Sequence, residues 1–387
     1  MAKDKENTLI KERSINDLIK ELGDFKLPVS VPEKIKRRPT GVLSLDVALH
    51  GGLPEGKGVM IFGDTKMGKT TLNMFIAREM LAQGKTVAWL DIENSFDPAY
   101  AHMMNFDFQT YIDTKKFIYF RFADKTAVAE RWLDAITMMI ASGEIDLIIM
   151  DSLAAVPTGT EMNSSAEKAN VATLARILTP WVRVIIPLLE KHGTTLLVIN
   201  QERVVIGSSV PMPNTFPGGK AIGHFMSIIL QMRNPIYDYK KDGTLGKMTL
   251  RYVMRKTKVF RPPSTKEEFT LDINYDGEYC ELDFVGEIVT AATNFGILRN
   301  KEGERWTKNV AFYNGQSLGN GEKQIRKTLE ENNELLMQLS EEVFACIKEG
   351  KSYESGPTGS SEDELQGTGV YEGEDDQPSD DSPFSDV

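Results

Sequence analysis

The chain has 387 residues, 41% hydrophobic and 26% charged, which excludes collagen-like, coiled-coil and wholly disordered proteins and leaves room for several domains of about 100–200 residues each. Its 56 Asp and Glu outnumber its 45 Lys and Arg, and a formal net charge of -11 argues, as a bulk figure, against a nucleic-acid partner. Cys280 and Cys346 are too few for a disulfide framework and four His leave no Cys/His metal cluster; the charged start Met1–Asn7, with no apolar run behind it, predicts neither a signal peptide nor a membrane span, so a cytoplasmic location is expected.

Apolar residues at Leu9, Ile10, Ile15, Leu18, Ile19 and Leu22 fall at the spacing of an amphipathic helix, set apart by a Pro- and charge-rich connector over residues 28–39. Residues 1–38 are read as an oligomerisation helix and linker; packing on a neighbouring subunit and packing on its own domain both fit. From Gly41 to about Asn234, short apolar runs at 59–62, 86–90, 117–120, 147–150 and 195–199 alternate with helical stretches. That βαβα order predicts an α/β fold with a buried, mostly parallel central sheet. Strand patterns at 227–230, 248–253 and 268–273 extend the same sheet, which bounds a core at 39–275. Residues 281–349 turn helical, ending on Leu335, Leu336, Leu339, Val343 and Ile347, and predict a small C-terminal α/β domain over 276–351. Residues 352–387 are Gly, Ser, Pro and acids, too poor in apolar surface to offset chain entropy, and read as a disordered acidic tail. They hold eleven acids and neither Lys nor Arg, which is the whole of the -11 net charge. Residues 1–351 are therefore formally neutral, and the bulk acidity no longer counts against DNA.

The strongest local signal is GxxxxGKT over Gly63, Asp64, Thr65, Lys66, Met67, Gly68, Lys69 and Thr70, with Thr71 following, between a predicted strand and a helical run from Thr70 to Ala82. This is the context of a P-loop: the glycines permit the tight backbone, successive N–H groups and a helix N-terminus bind phosphate, Lys69 reaches the outer phosphates and Thr70 offers its hydroxyl to Mg²⁺. A second metal-holding group is expected at the end of another strand, where Leu147-Ile-Ile-Met-Asp151 places Asp151. Glu93, just past the run 86–90, is placed either to orient the attacking water or as a solvated loop carboxylate.

The segment Thr40–Pro54, the P-loop, Leu90–Tyr100, Met150–Ala155, Ile199–Arg203, Pro217–Lys220, Arg255–Lys258 and Gly315–Gly321, in that order, resemble the RecA recombinase family. The resemblance covers most of residues 8–350 and implies a RecA-type P-loop ATPase core. It implies Glu93 as catalytic base, Gln201 as sensor of the γ-phosphate, Tyr100 as the ring stacked on adenine with Asp97 nearby, and Lys256 and Lys258 as cations inserted toward a neighbouring subunit's ATP. It places DNA-binding loops near 160–170 and 202–217. Arg176, Arg183 and Arg203 fall on its DNA-contacting positions, Ile206 on its base-step wedge, and Gly207, Gly218 and Gly219 on the loop and its exit. Arg176 and Arg183 read equally well as solvated helix residues, and Lys256 and Lys258 as exposed strand lysines. Asp64, Thr65, Lys66, Asn94, Glu202, Val205 and Val210 depart from the bacterial pattern. Pro180 and Pro187 are expected to kink or end their helix, and the Thr179-Pro180 pair is similar to phage recombinases of the UvsX kind.

The function so implied is a DNA-dependent ATPase using ATP and Mg²⁺ that assembles into a helical filament on single-stranded DNA and pairs it with homologous double-stranded DNA. Single-strand-binding or loader proteins are further implied partners, in bacterial or phage-infected cytoplasm. A ring helicase, or an ATP-gated coating protein for single-stranded DNA without strand exchange, remain alternatives. Lys301, Arg305, Lys308, Lys323, Arg326 and Lys327 in the C-terminal domain predict weak capture of duplex DNA.

Overall fold

The computed structural model describes residues 35–121, 128–159, 172–201, 203–204, 214–215, 217–260 and 268–351. The helix expected over residues 8–22, the first DNA loop at 160–170, most of the second and the tail lie outside the described residues.

The chain enters through β1 (Arg37–Arg38), which pairs antiparallel with β2 (Leu53–Pro54) across the short helix α1 (Leu43–Ala48). Then follow β3 (Gly58–Gly63), α2 (Lys69–Ala82), β4 (Val87–Asp91), α3 (Pro98–Met103), α4 (Phe108–Asp113), β5 (Phe117–Phe120), α5 (Ala129–Ser142), β6 (Leu147–Asp151), α6 (Ala172–His192) and β7 (Thr195–Gln201). The ribbon β8 (Arg203–Val204) and β9 (Asn214–Thr215) leads to α7 (Gly219–Phe225) and the long strands β10 (Ile228–Tyr239), β11 (Leu245–Thr257), β12 (Glu268–Tyr275) and β13 (Cys280–Leu282). The chain closes with α8 (Phe284–Asn294), the hairpin β14 (Val310–Tyr313) and β15 (Gln316–Asn320), α9 (Glu322–Glu331) and α10 (Asn333–Glu349).

One nine-stranded sheet has the order β13-β12-β11-β10-β3-β7-β6-β4-β5. From β10 to β5 neighbours run parallel, and β11, β12 and β13 extend the edge antiparallel. Every residue of β3, β4 and β6 is buried, which is why these runs read as continuous apolar stretches. Alternate residues go to opposite faces. Val59, Ile61, Trp89, Ile149 and Leu197 join a cluster with α1, α2 and the C-terminal helices, whereas Met60, Phe62, Leu90, Ile148 and Val198 join one with α5, α6 and α7. The first cluster runs without interruption into Ile288, Leu298, Ile325, Leu339 and Val343, so the C-terminal module shares its core with the sheet.

The helix α6 continues through both Pro180 and Pro187 over its 21 residues, so neither proline ends it. Both are exposed, whereas Leu178, Val182, Ile185 and Leu189 pack inward. The carbonyls four residues earlier, which lose their N–H donors, therefore sit on the wet face, where water replaces the missing bonds.

Two buried carboxyls, Asp46 of α1 and Glu287 of α8, lie where these helices meet. Asp46 accepts from the Thr40 N–H and hydroxyl, both at 2.7 Å, and from the Gly41 N–H at 3.2 Å; Glu287 accepts from the Ser44 N–H at 3.0 Å. Burial pushes both carboxyls up to about 7. The folded protein therefore holds protons more tightly than the unfolded chain, so this contribution is full below about pH 4 and is lost as the pH rises through about 7. Urea unfolding is expected to show the protein less stable at pH 8 than at pH 5.5 by about 2 kcal/mol per such carboxyl, with Glu287→Gln flattening the dependence. Stability that rises across that interval in both proteins would contradict the assignment.

Candidate active site

β3 delivers the chain to the loop 64–68 at the carboxyl end of the sheet, where sites of open α/β sheets lie. Gly68 closes the loop at φ 79°, a left-handed backbone that favours glycine, and a Cβ there would lie 2.4 Å from Leu250 Cδ2, so the leucine tip would have to shift. α2 starts at Lys69 with no side-chain hydrogen bond at its N-cap and no acid in its first turn. Its N–H groups and the positive end of its dipole are thus directed at the cleft, a ready seat for an anion. Lys69 is buried, and its Nζ donates to the carbonyls of Gly63 at 3.0 Å and Asp64 at 2.6 Å, which holds the ammonium across the mouth of the loop.

The acids come from the adjacent parallel strands β4 and β6, whose last residues, Asp91 and Asp151, lie side by side. The Ile92 and Glu93 N–H groups donate to the Asp151 carbonyl at 2.7 and 3.3 Å, fixing the turn that carries Glu93. Asp151 Oδ2 accepts from Thr70 Oγ1 at 3.0 Å and Ser95 Oγ at 3.3 Å. Burial, with the charges of Glu93 and Asp91 adding to it, pushes the Asp151 carboxyl up to about 7 against the Thr70 and Ser95 hydroxyls. A buried carboxyl group with hydroxyl partners at the mouth of a P-loop has the oxygen chemistry suited to a hard cation. Glu93 Oε1 accepts from Gln201 Nε2 at 3.0 Å and from Ser152 Oγ, so the ends of β4, β6 and β7 meet on one carboxylate. Asp91 accepts from the Ser95 and Phe96 N–H groups and from the Tyr119 hydroxyl at 2.6 Å, clamping the same turn from below.

Glu93, Asp151 and Gln201 line a cleft of about 640 Å³ with Thr65–Thr71, Tyr100, Ile199, Tyr237, Leu245, Met248 and Tyr275. Tyr100 is half-buried and shares a hydroxyl hydrogen bond of 2.8 Å with Tyr275 of β12. Asp97 does not line the cleft: its Oδ1 accepts from the Ala99 and Tyr100 N–H groups and caps α3, so it orients Tyr100 at one remove. Asp64 likewise points outward and accepts from the Thr65 N–H at 2.7 Å. Tyr275, Tyr237, Leu245 and Met248 come from strands more than a hundred residues beyond the P-loop, and no local motif marks them. Ser152 and Ser95 flank Asp151 and Glu93 in sequence, so their proximity was a usable signal.

The expected DNA-facing residues lie apart from the cleft lining. Arg176 and Arg183 are exposed on the same stripe of α6 as Pro180 and Pro187, and neither forms an ion pair with a described residue. Gly218 and Gly219 open α7 at φ 99° and 70°; a Cβ on Gly218 would lie 2.9 Å from Leu178 of α6. Ile206 and Gly207 lie outside the described residues, as does the side chain of Arg203. Among the C-terminal cations, Arg326 pairs with Asp283, and Arg305 bonds the Thr293 carbonyl and Asn294. Both tie the module together, which leaves Lys301, Lys308 and Lys323 as its exposed cations from that set, with Lys327 near Glu331 at 3.7 Å.

Lys256 and Lys258 stand at the other end of the sheet. Lys256 Nζ donates to the carbonyls of Gly223 at 2.5 Å and His224 at 3.3 Å, and Lys258 Nζ to His224 at 2.5 Å, so both cap the C-terminus of α7 where cations are favoured. Burial, then the charge of Lys258, brings the Lys256 ammonium down to about 8. Lys258 is level with the start of β3 through Ser227, so about 17 Å of strand separates it from the P-loop of its own subunit.

Fold and site define a P-loop nucleotide-binding protein with a mostly parallel central sheet. The model of the RecA N-terminal domain matches residues 11–278, and the chain belongs to the RecA family. It is similar to Protein RecA of Aquifex aeolicus (strain VF5), 31% identical over 337 residues that cover 86% of this chain and 91% of that one. It is also similar to Protein RecA of Mycolicibacterium smegmatis (strain ATCC 700084 / mc(2)155), 32% identical over 348 residues covering 88% and 92%. A crystal structure of the RadB recombinase aligns with TM-score 0.45 at 20% identity over 62% of this chain and 97% of that chain. Among the described residues, no helix is long and apolar enough to cross a membrane.

Proposed function

We propose that the protein is a DNA-stimulated ATPase that forms a filament on single-stranded DNA and pairs that strand with a homologous duplex. The observation that carries this reading is the meeting of Gln201, Ser152 and Glu93 beside the P-loop, with Lys256 and Lys258 far from that cleft. The loop amides and the α2 N-terminus bind the phosphates of ATP, and Lys69 turns from the loop carbonyls to the outer phosphates. Tyr100 offers a flat face to the base at low entropy cost. Glu93 orients the attacking water and accepts its proton. Gln201 holds Glu93 at one end and opens directly onto the 202–217 segment at the other, which couples the cleft to the proposed DNA-binding loop. When bound, Mg²⁺ would be held by Thr70 and Asp151 and would neutralise phosphate charge. Because Lys256 and Lys258 do not reach their own cleft, we read them as serving the ATP of a neighbour, which makes turnover depend on assembly.

ATP turnover is expected to rise on adding single-stranded DNA, with Lys69→Ala as the blank; equal rates with and without DNA would sink the reading. Rings that unwind forks, in place of open filaments in electron micrographs, would favour the helicase alternative. Strand exchange between a circle and a homologous linear duplex separates a recombinase from a coating protein.

The acids of residues 352–387 compete with DNA for basic surface through screened charge interactions. Truncation after Lys351 is expected to tighten duplex binding at low salt, with the gain shrinking as salt rises. Titration of both proteins with a labelled duplex at several salt concentrations measures it, and superimposable curves would rule the competition out.

A further inference from the structure

β11 keeps its last ladder partner at Thr257, opposite Ile228, and the Lys258 N–H donates to the Ser227 carbonyl at 2.8 Å. The two lysines therefore lie at the end of a strand, just before residues 259 and 260 leave the sheet. What grips those residues is a side-chain stack. The Phe260 ring lies 4.4 Å from the His50 ring at an interplanar angle of 29°, and the Arg37 guanidinium stands 5.1 Å over it. Arg37 donates in its plane to the carbonyls of Leu49 at 2.8 Å, Gly52 at 3.4 Å and Val259 at 3.3 Å, which leaves its face for the ring. Burial and the charge of Arg37 lower the His50 imidazole, so at neutral pH an uncharged ring meets the phenyl face. None of the three residues lines the nucleotide cleft.

The stack lies outside the lining of its own cleft and bonds the residue after Lys258, so it ties that strand end to the turn after α1 that holds Leu49 and Gly52. Resting on the reading of Lys256 and Lys258 as cations for a neighbouring subunit, we propose that Arg37, Phe260 and His50 are positioning residues that fix the lysine strand for the neighbour's ATP. Misplacement of a catalytic group by a fraction of an ångström to an ångström is costly in rate because the bound geometry supplies much of the catalysis. The stack acts through Lys256 and Lys258 and touches no substrate itself.

The test uses full-length protein on single-stranded DNA with saturating ATP. Phe260→Ala is expected to lower kcat about 10-fold with KM for ATP within about 2-fold, and Phe260→Tyr, which keeps the ring, to restore kcat to within about 2-fold of the starting protein. Mixing with Lys69→Ala protein, whose own cleft is dead but whose lysine strand is intact, then separates a role toward the neighbour from damage to the fold. In an equal mixture about a quarter of head-to-tail interfaces join a Phe260→Ala cleft to an intact lysine strand, so turnover per active cleft rises above that of Phe260→Ala alone. A Lys256→Ala/Lys258→Ala double variant in the same mixture tests the underlying reading. If the double variant is impaired and rescued while Phe260→Ala is fully active, or is impaired without rescue by mixing or by Tyr, the positioning role is overturned and the reading stands. If the double variant keeps full turnover, the reading falls first.

Discussion

Glu93→Gln is expected to reduce DNA-stimulated ATP turnover by at least about 100-fold, at the lower end of what a positioned general base contributes, while nucleotide affinity changes little. The substitution is nearly isosteric and keeps an oxygen to accept from Gln201 and Ser152, the two donors that converge on Glu93 Oε1. The turn that carries it is held independently by the Ile92 and Glu93 amides on the Asp151 carbonyl and by the Asp91 clamp, so the architecture has no reason to change. What is lost is the charge and the capacity to take a proton from water. Because the phosphates are bound by the loop and α2, binding and turnover separate. Single-turnover hydrolysis together with a fluorescent-nucleotide titration reads both, and turnover within a few-fold of the original protein would assign Glu93 to the solvated-carboxylate role instead.

The second large effect is expected at Lys256 and Lys258. Replacing both by Ala should lower turnover in filaments by about 10³-fold or more, the range of a cation supplied from a neighbouring subunit in phosphoryl transfer. Loss of the cap on α7 is a smaller matter: His224 is exposed and Gly223 partly so, which lets water take the place of the ammonium groups, so about 1–2 kcal/mol per bond is at stake. Nucleotide binding by the unassembled protein is expected to be unchanged, since Lys256 and Lys258 lie about 10 and 17 Å of strand from the P-loop of their own subunit and neither lines its cleft. A double variant whose filaments hydrolyse ATP normally would refute the trans assignment, and a double variant that no longer binds nucleotide when unassembled would point to a fold defect.

Much of this molecule was readable from residues in order. The apolar runs at 59–62, 86–90, 117–120, 147–150 and 195–199 all became strands of one sheet, because apolar continuity between helical stretches has one common solution, a parallel sheet with helices on its faces. The P-loop emerged with its strand and helix in place, since its geometry is set by glycines and amides within nine residues. Pro180 and Pro187 do not end their helix: the rule that proline breaks a helix assumes that the freed carbonyls have no other partner, and on the exposed stripe of α6 those carbonyls are open to solvent. Arg305 and Arg326 have partners that their positions along the chain do not reveal. Sequence shows them only as positive charges, and packing gave them to Asn294 and Asp283.

By itself the sequence placed the phosphate loop, whose parts are neighbours along the backbone, and set Asp151 at the end of a second strand; it left Glu93 between two roles, and only the resemblance to the RecA family singled out Tyr100. Only the tertiary structure decided that Glu93 is shared by Gln201 and Ser152, that Tyr275, Tyr237 and Met248 wall the same cleft, and that Lys256 and Lys258 stand away from it on a strand end gripped by Arg37, Phe260 and His50. The reason is the sheet order: β3 lies between β7 and β10, so residues far apart in the chain meet at one end of the sheet while others a few strands away are carried to the opposite end. Local spacing holds no information about which of those two ends a side chain will reach.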